Sequence, residues 1–370
     1  MSRDKKPKKV YPEQRRRVFV AMSGGVDSSV AALLLQNKGY DVIGVYMKGW
    51  SLTGCAEEDA RDARRVAGVL NIPFYVFNFE KEFKKSVVDY MISGYAKGET
   101  PNPDIMCNKE IKFGLFLKKA LALGADFVAT GHYSRLRREF PISKSQFPNK
   151  IKNPNFKLFQ AKDSNKDQSY FLWTLTQAQL KHCLFPLGNF TKPKVRALAK
   201  KYNLPTAEKP DSQGVCFVGE IDVAEFLKSK LGKKPGPVLT LAGKKVGVHD
   251  GLNFYTIGQR KGIGSAGGGT PYYVARKDFK KNALIVAEAN SPALFSDALS
   301  VKTINWISGK APELPLSCLA RIRYRQPLQK CVIADKSKVK FNEPQRAVTP
   351  GQSAVFYTAR GKMLGGAVIN

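Results

Sequence analysis

"AMSGGVDSSV", residues 21–30, follows the apolar run Val18, Phe19 and Val20. Two glycines, three hydroxyls and an acid are packed behind a buried-looking stretch. The apolar run reads as a strand over Arg17–Met22. Val30, Leu33 and Leu34 at helical spacing read as a helix over 28–38, with Gly39 as its stop. A Gly-rich turn between the two can aim several backbone N–H groups at one anion, and the helix N-terminus adds partial positive charge. Gly24 and Gly25 let the backbone approach closely, while Ser23, Ser28 and Ser29 offer hydroxyls. Asp27 could hold Mg²⁺ or position a group beside phosphates. No G-x-x-x-x-G-K-[ST] occurs in the chain, so the loop is not of the Walker type.

The pattern repeats outward. "DVIGVYM" (41–47), "PFYVFNF" (73–79) and "DFVATGH" (126–132) read as strands. "EEDARDARRVAGVLN" (57–71) and "IKFGLFLKKALALGA" (111–125) read as helices. Strands alternating with helices imply a parallel sheet covered on both faces, with ligands beyond the carboxyl ends of the strands. Residues 135–162 hold three Arg and five Lys against one Glu and read as a mobile basic hairpin or loop. Beyond about residue 220, short strands and Gly/Pro/Lys turns point to a small linking domain and then an all-β module. The expected divisions are a basic disordered tail (1–16), a catalytic α/β domain (17–220), a linking domain (221–289) and a C-terminal β-barrel (290–370).

The chain has 370 residues with 61 Lys plus Arg against 30 Asp plus Glu, a net charge of +31. Such an imbalance repels itself and points to a polyanionic partner such as nucleic acid. No apolar run approaches the ~18 residues of a membrane span, and no apolar segment follows the basic start as in a secretory signal. A reducing, cytoplasmic setting is expected. The six cysteines form no C-x-x-C pair, which removes support for zinc-ribbon or thioredoxin-like sites. "GIGSAG" (262–267) matches a dinucleotide fingerprint, but a turn and strand follow where a helix is required.

Cys183, Cys318 and Cys331 lie among apolar residues and read as core fillers. Cys55 sits near a helix start. Cys107, in "TPNPDIMCNKEIKFG", stands between a Pro-rich turn and a basic helix start, and Cys216 lies in the polar loop "KPDSQGVCFVGE". Neighbouring lysines and a helix start are expected to lower such thiol pKa values.

The loop SGGVDS resembles that of the PP-loop ATP pyrophosphatases. A longer series of blocks is similar, in order, to the tRNA-specific 2-thiouridylases (the MnmA family). They include "SGGVDSSVAALLL", "GETPNPDIMCNKEIKFG", "ADFVATGHYSR", "NKDQSYFLWTLTQAQL", "PTAEKPDSQGVCFVGE", "ARIRYRQ" and "AVTPGQSAVFY". The resemblance implies an α/β parallel-sheet PP-loop domain, of the adenine nucleotide alpha hydrolase-like type, followed by the two smaller domains. It implies that ATP, with Mg²⁺, is held by Ala21, Met22, Ser23, Gly24, Gly25, Val26, Asp27 and Ser28, with Met47 and Gly131 beside the adenosine. The implied reaction replaces O2 of a tRNA wobble uridine by sulfur, after adenylation of that oxygen. Cys216 would carry a persulfide loaded by a sulfur donor protein, a cysteine desulfurase or sulfur relay protein. Cys107 would release the sulfur, or the perthiolate would attack directly. Asp104 would act as acid or base. Asn102, Pro103, Asp104, His132, Lys166, Asp167, Gln168, Arg323, Tyr324 and Gln352 would contact tRNA. Arg321, Arg323 and Arg325 alternate in "LARIRYR", which predicts a strand with one basic face. The tail and the insert near 140–157 have no counterpart motif, and Ala367 stands where a third glycine is usual.

Overall fold

The computed structural model describes residues 16–51, 55–139, 155–211, 223–263 and 271–370, without the side chain of Cys55. The expected tail before Arg16, most of the basic insert, the latter part of "GIGSAG" and Cys216 lie outside these residues.

The first sheet is built by β1 (Arg17–Ala21), β2 (Asp41–Lys48), β3 (Phe74–Asn78), β4 (Phe127–Ala129) and a short β7 (Cys183–Leu184). Its order is β3-β2-β1-β4-β7, and every pair is parallel. Alternation along β1 explains why both faces are covered. Val18, Val20 and Met22 pack with Val30, Leu33, Val66 and Val195 on one side. Phe19 and Ala21 join Phe77, Ile111 and Phe116 on the other. Helix α1 (Val26–Asn37) and helix α2 (Cys55–Val69) start close to their expected positions. Between β4 and β7 the chain makes an antiparallel hairpin of β5 (Arg135–Glu139) and β6 (Asn155–Phe159), with Arg137 over the Phe159 ring. This is the described part of the basic segment.

One helix differs from its expectation. It begins at Pro103, not near residue 111, and continues as a π-helix over Cys107–Phe116 before ending as an α-helix at Ala122. Asn102 caps it: its Oδ1 accepts from the amides of Asp104 at 3.1 Å and Ile105 at 3.2 Å, and Pro103 takes the first helical position. The Pro-rich segment read as a turn is therefore a helix start, and Cys107 lies in the second helical turn.

Strands β8 (Gly236–Thr240), β9 (Lys245–His249), β10 (Tyr272–Asp278) and β11 (Ala283–Glu288) form a four-stranded sheet ordered β10-β11-β8-β9. β10 is the strand expected after "GIGSAG". The last module holds β12 (Phe295–Ser300), β13 (Asn305–Trp306), β14 (Leu316–Arg321), β15 (Gln329–Ile333), β16 (Lys338–Arg346), β17 (Ser353–Tyr357) and β18 (Met363–Val368). All its pairs are antiparallel, in the order β12-β16-β15-β14-β17-β18-β13. A bridge between Val301 and Ile369, with Asn370 N donating to Ser300 O, brings the β12 end back to the β18 end and curls the sheet into a barrel.

Thr100 lies where all three modules meet. Its amide donates to Pro350 O of the barrel at 2.8 Å, and its hydroxyl lies 3.2 Å from that of Thr256 in the middle module. The junction falls two residues before the Asn102 cap.

Candidate active site

In an open parallel sheet the ligand crevice opens where neighbouring strands lead their connections in opposite directions. Here that place lies between β1 and β4. The loop after β1 turns at Gly24, whose φ of +75° favours glycine; a Cβ there would sit 2.4 Å from Asp59 O. No side chain caps α1 at Gly25, so its first-turn N–H groups face the crevice without a side-chain acceptor. The hydroxyls divide their roles. Ser28 Oγ and Ser29 Oγ both donate to Gly25 O, and buried Ser29 also accepts from Thr206. They brace the turn, and only Ser23 is exposed. Ala21 and Met22 are buried at the strand end, and Met47 lies two residues past the last β1–β2 pair, alongside the loop.

The loop after β4 closes the other side. Gly131 lies so near the first turn of α1 that a Cβ would be 2.8 Å from Ser28 N and 2.9 Å from Asp27 C. His132 follows, buried, its Nδ1 2.8 Å from Thr130 Oγ1. Burial, aided by Lys112, holds its pKa well below 6.5, so the imidazole is neutral at pH 7.

Asp27 does not stand alone. Its carboxylate accepts from Lys192 Nζ at 2.8 and 2.9 Å and from Tyr133 OH at 2.7 Å. Lys192 also reaches Asp211 at 2.7 Å, and Lys166 and Arg196 bind the same Asp211 at 2.6 and 2.8 Å. Partial burial opposes ionisation of Asp211, but the bonds from Lys166 and Lys192 outweigh it and hold its pKa at about 2. Sequence reasoning missed Lys192, Arg196, Tyr133 and Asp211. Lys192 and Arg196 share one helix, Tyr133 follows β4 and Asp211 lies outside any helix, so no local pattern joins them, and Lys192 is 165 residues from Asp27.

Asp104 and Cys107 share one helical turn, with Pro103 buried before them. Cys107 is only 7% exposed, and burial pushes its thiol pKa up; Lys112 pulls it down and Asp104 pushes it up further. The expectation of a lowered pKa is thus reversed, because desolvation outweighs the nearby ammonium. Burial also raises the Asp104 carboxyl, again opposed by Lys112. The field of Lys112 therefore acts on Asp104, Cys107 and His132 together. Lys112 is five residues after Cys107, one π-turn on, in the type of helix that often marks functional sites. The next residue, Phe113, packs its ring 6.1 Å from that of His132 and so joins the Cys107 helix to the loop that carries Gly131 and His132. Cys216 lies outside the described residues.

The residues expected to contact tRNA separate into groups. Lys166 lies in the Asp211 network, and Gln168 Oε1 accepts from Tyr133 N at 3.0 Å. Asp167 is 1% exposed; its carboxylate accepts from Ala161 N, Ser169 N, Gln160 Nε2 and Arg321 Nη1. Its side chain is a strut between the segment after β6 and the barrel rather than a free surface group. Arg323 donates to Ile257 O, Ala347 O and Thr349, Tyr324 packs on Phe171, and Gln352 Nε2 donates to Thr100 O. The single basic strand face is not formed. β14 ends at Arg321, which turns inward to Asp167, and Arg325 has φ +64° beyond the strand.

Among the described residues no group of three or more His, Cys, Asp or Glu could hold a metal, and no helix is long and apolar enough to cross a membrane.

A parallel sheet with a glycine-turned loop at its strand switch, followed by two β modules, is the architecture of a HUP domain with appended β domains. Residues 16–220 match the tRNA methyl transferase HUP domain, 224–288 the tRNA methyl transferase PRC-barrel domain and 296–369 the aminomethyltransferase beta-barrel domain. The tRNA-specific 2-thiouridylase MnmA of Halalkalibacterium halodurans is 47% identical over 96% of this chain and 95% of its own length. That of Geobacillus thermodenitrificans is 47% identical over 96% and 94%. A solved structure of NMN synthetase from Francisella tularensis aligns at 15% identity over 60% of this chain and 79% of that one, with a TM-score of 0.34. The chain belongs to the tRNA-specific 2-thiouridylase family and is an enzyme of that class.

Proposed function

We propose that this enzyme replaces O2 of the wobble uridine of tRNA by sulfur, using ATP to make that oxygen a leaving group. A uracil carbonyl oxygen leaves poorly by itself. Attack of O2 on the α-phosphate expels pyrophosphate, and a sulfur nucleophile at C2 then expels AMP. The residues 21–28 cradle the triphosphate, with Met47 and Gly131 beside the adenosine. The observation that carries the reading is convergence: Gly131 lies against the first turn of α1 after the loop, and Phe113 of the Cys107 helix packs its ring 6.1 Å from that of His132.

Mg²⁺ fits as an ion carried by ATP, since Asp27 is the one carboxylate on the loop and no protein cage stands beside it among the described residues. Binding of the nucleotide would have to compete with Lys192 for Asp27. The ion would neutralise phosphate charge, and the protein residues perform the rest. Asp104, its pKa raised by burial, is suited to exchange a proton beside the uracil. Cys216 carries the persulfide, loaded by a cysteine desulfurase or sulfur relay protein. Cys107 attacks it, the terminal sulfur leaves to C2, and a Cys107–Cys216 disulfide remains for later reduction. Lys166, Gln168, Arg323, Tyr324 and Gln352 are assigned to the tRNA on the family resemblance, so Lys166, Gln168, Arg323 and Gln352 would exchange the internal partners they hold here for RNA, and the enzyme works in the cytoplasm.

The test incubates the protein with ATP, a sulfide source and bulk tRNA, then digests the RNA. The reading expects 2-thiouridine that depends on ATP. Its absence, with ATP turned over on a small acid or amine instead, would make the chain a ligase on metabolites.

A further inference from the structure

The barrel carries a second pair of cysteines far from the crevice in sequence. Cys318 on β14 and Cys331 on β15 are direct cross-strand partners, and their sulfurs are 3.6 Å apart. Residues opposed in an antiparallel pair have Cα atoms roughly 4.5–5.5 Å apart. That falls inside the range of about 4.4–6.8 Å that a disulfide spans. Cys331 is buried among Leu299, Ile333 and Phe341, while Cys318 is half-exposed at the edge of the same cluster. The expectation that both are core fillers accounts for the burial of Cys331 only. A filler packs against carbon, whereas here sulfur meets sulfur. No third metal ligand joins them among the described residues.

We propose that Cys318 and Cys331 form a dithiol modification site, closed reversibly to a disulfide by exchange with a low-molecular-weight disulfide such as oxidised glutathione. The thiolate of Cys318, the more accessible sulfur, attacks one sulfur of that disulfide and releases the other as a thiolate. The neighbouring sulfur lowers the Cys318 pKa in support of this order. Cys331 then gives up its proton and attacks the Cys318 mixed disulfide, releasing the second small thiol. Two protein thiols are oxidised, and one small disulfide is reduced to two thiols. The bond would tie β14 to β15 three residues before Arg321, the residue that fixes the barrel to Asp167. The inference is independent of the tRNA chemistry, which uses other cysteines.

The test exposes the full chain to excess oxidised glutathione, blocks remaining thiols by alkylation and maps the peptides by mass spectrometry. The expected result is a linked Cys318–Cys331 peptide, lacking two hydrogens, that returns to two alkylated peptides after dithiothreitol. In Cys331→Ala a glutathione adduct should persist on Cys318. Full alkylation of both residues, or an adduct on wild-type Cys318 that never resolves onto Cys331, would overturn the proposal. An unmodified Cys318 in Cys331→Ala would overturn its role as the attacking thiol.

Discussion

Lys192 is buried and holds two carboxylates at once, Asp27 of the loop after β1 and Asp211. Taking an ammonium out of water is costly unless it is paired, and removing it leaves its partners uncompensated. Asp211 keeps Lys166 and Arg196, so the loss in Lys192→Met should be moderate, roughly 2–3 kcal/mol. A urea unfolding curve with a lower midpoint and unchanged slope would bear this out; an unshifted midpoint would contradict it. Asp211 makes a pH prediction with a definite sign. Its folded pKa, about 2, lies below the ordinary 3.8, so its stabilisation is present above the unfolded pKa and is lost as pH falls through about 2. The stability gap between wild type and Asp211→Asn should shrink by about 2 kcal/mol from about pH 5 to about pH 2. A gap independent of pH would show that the pairing does not hold the carboxyl down.

At the scale of elements, the strand, loop and first helix were legible because their signals are local. An apolar run, a glycine pair and a helical stripe decide β1, the turn and α1 without distant help. The segment 100–122 was less so. Asn102 and Pro103 form a helix start that resembles a rigid turn when read as composition, and nothing local announces a π-helix. The pKa of Cys107 was misjudged for a related reason. Lysine neighbours are visible in sequence, but the desolvation that outweighs them is a property of the packed fold. Lys112 supplies the element's test. It lowers the pKa values of Asp104, Cys107 and His132, so Lys112→Met should raise all three. The His132 imidazole resonances should then titrate at higher pH, and alkylation of Cys107 at fixed pH should slow. No change in either would place Lys112 outside the site.

Across the whole molecule, the net +31 charge and the α/β-then-β order were readable, whereas the seams between modules were not. Arg321, Asp167 and Gln352 resemble surface contacts in sequence, yet their polar atoms join modules: Arg321 to Asp167 and Gln352 to Thr100. The charge itself makes a prediction. If a broad basic surface neutralises many phosphates, tRNA affinity should fall roughly tenfold or more between about 50 and 200 mM salt. A flat profile, measured by filter binding, would confine recognition to a few non-ionic contacts.

The account depends most on Cys107 and Cys216 meeting over an activated uridine, and a single-turnover reaction without reductant tests it directly. Enzyme persulfidated on Cys216 is mixed with ATP and tRNA, quenched with an alkylating agent, and analysed for both 2-thiouridine and linked peptides. The account predicts a Cys107–Cys216 disulfide that accumulates in step with 2-thiouridine, and neither product in Cys107→Ser. Wild-type thiolation in Cys107→Ser, with no linked peptide at any time, would contradict it.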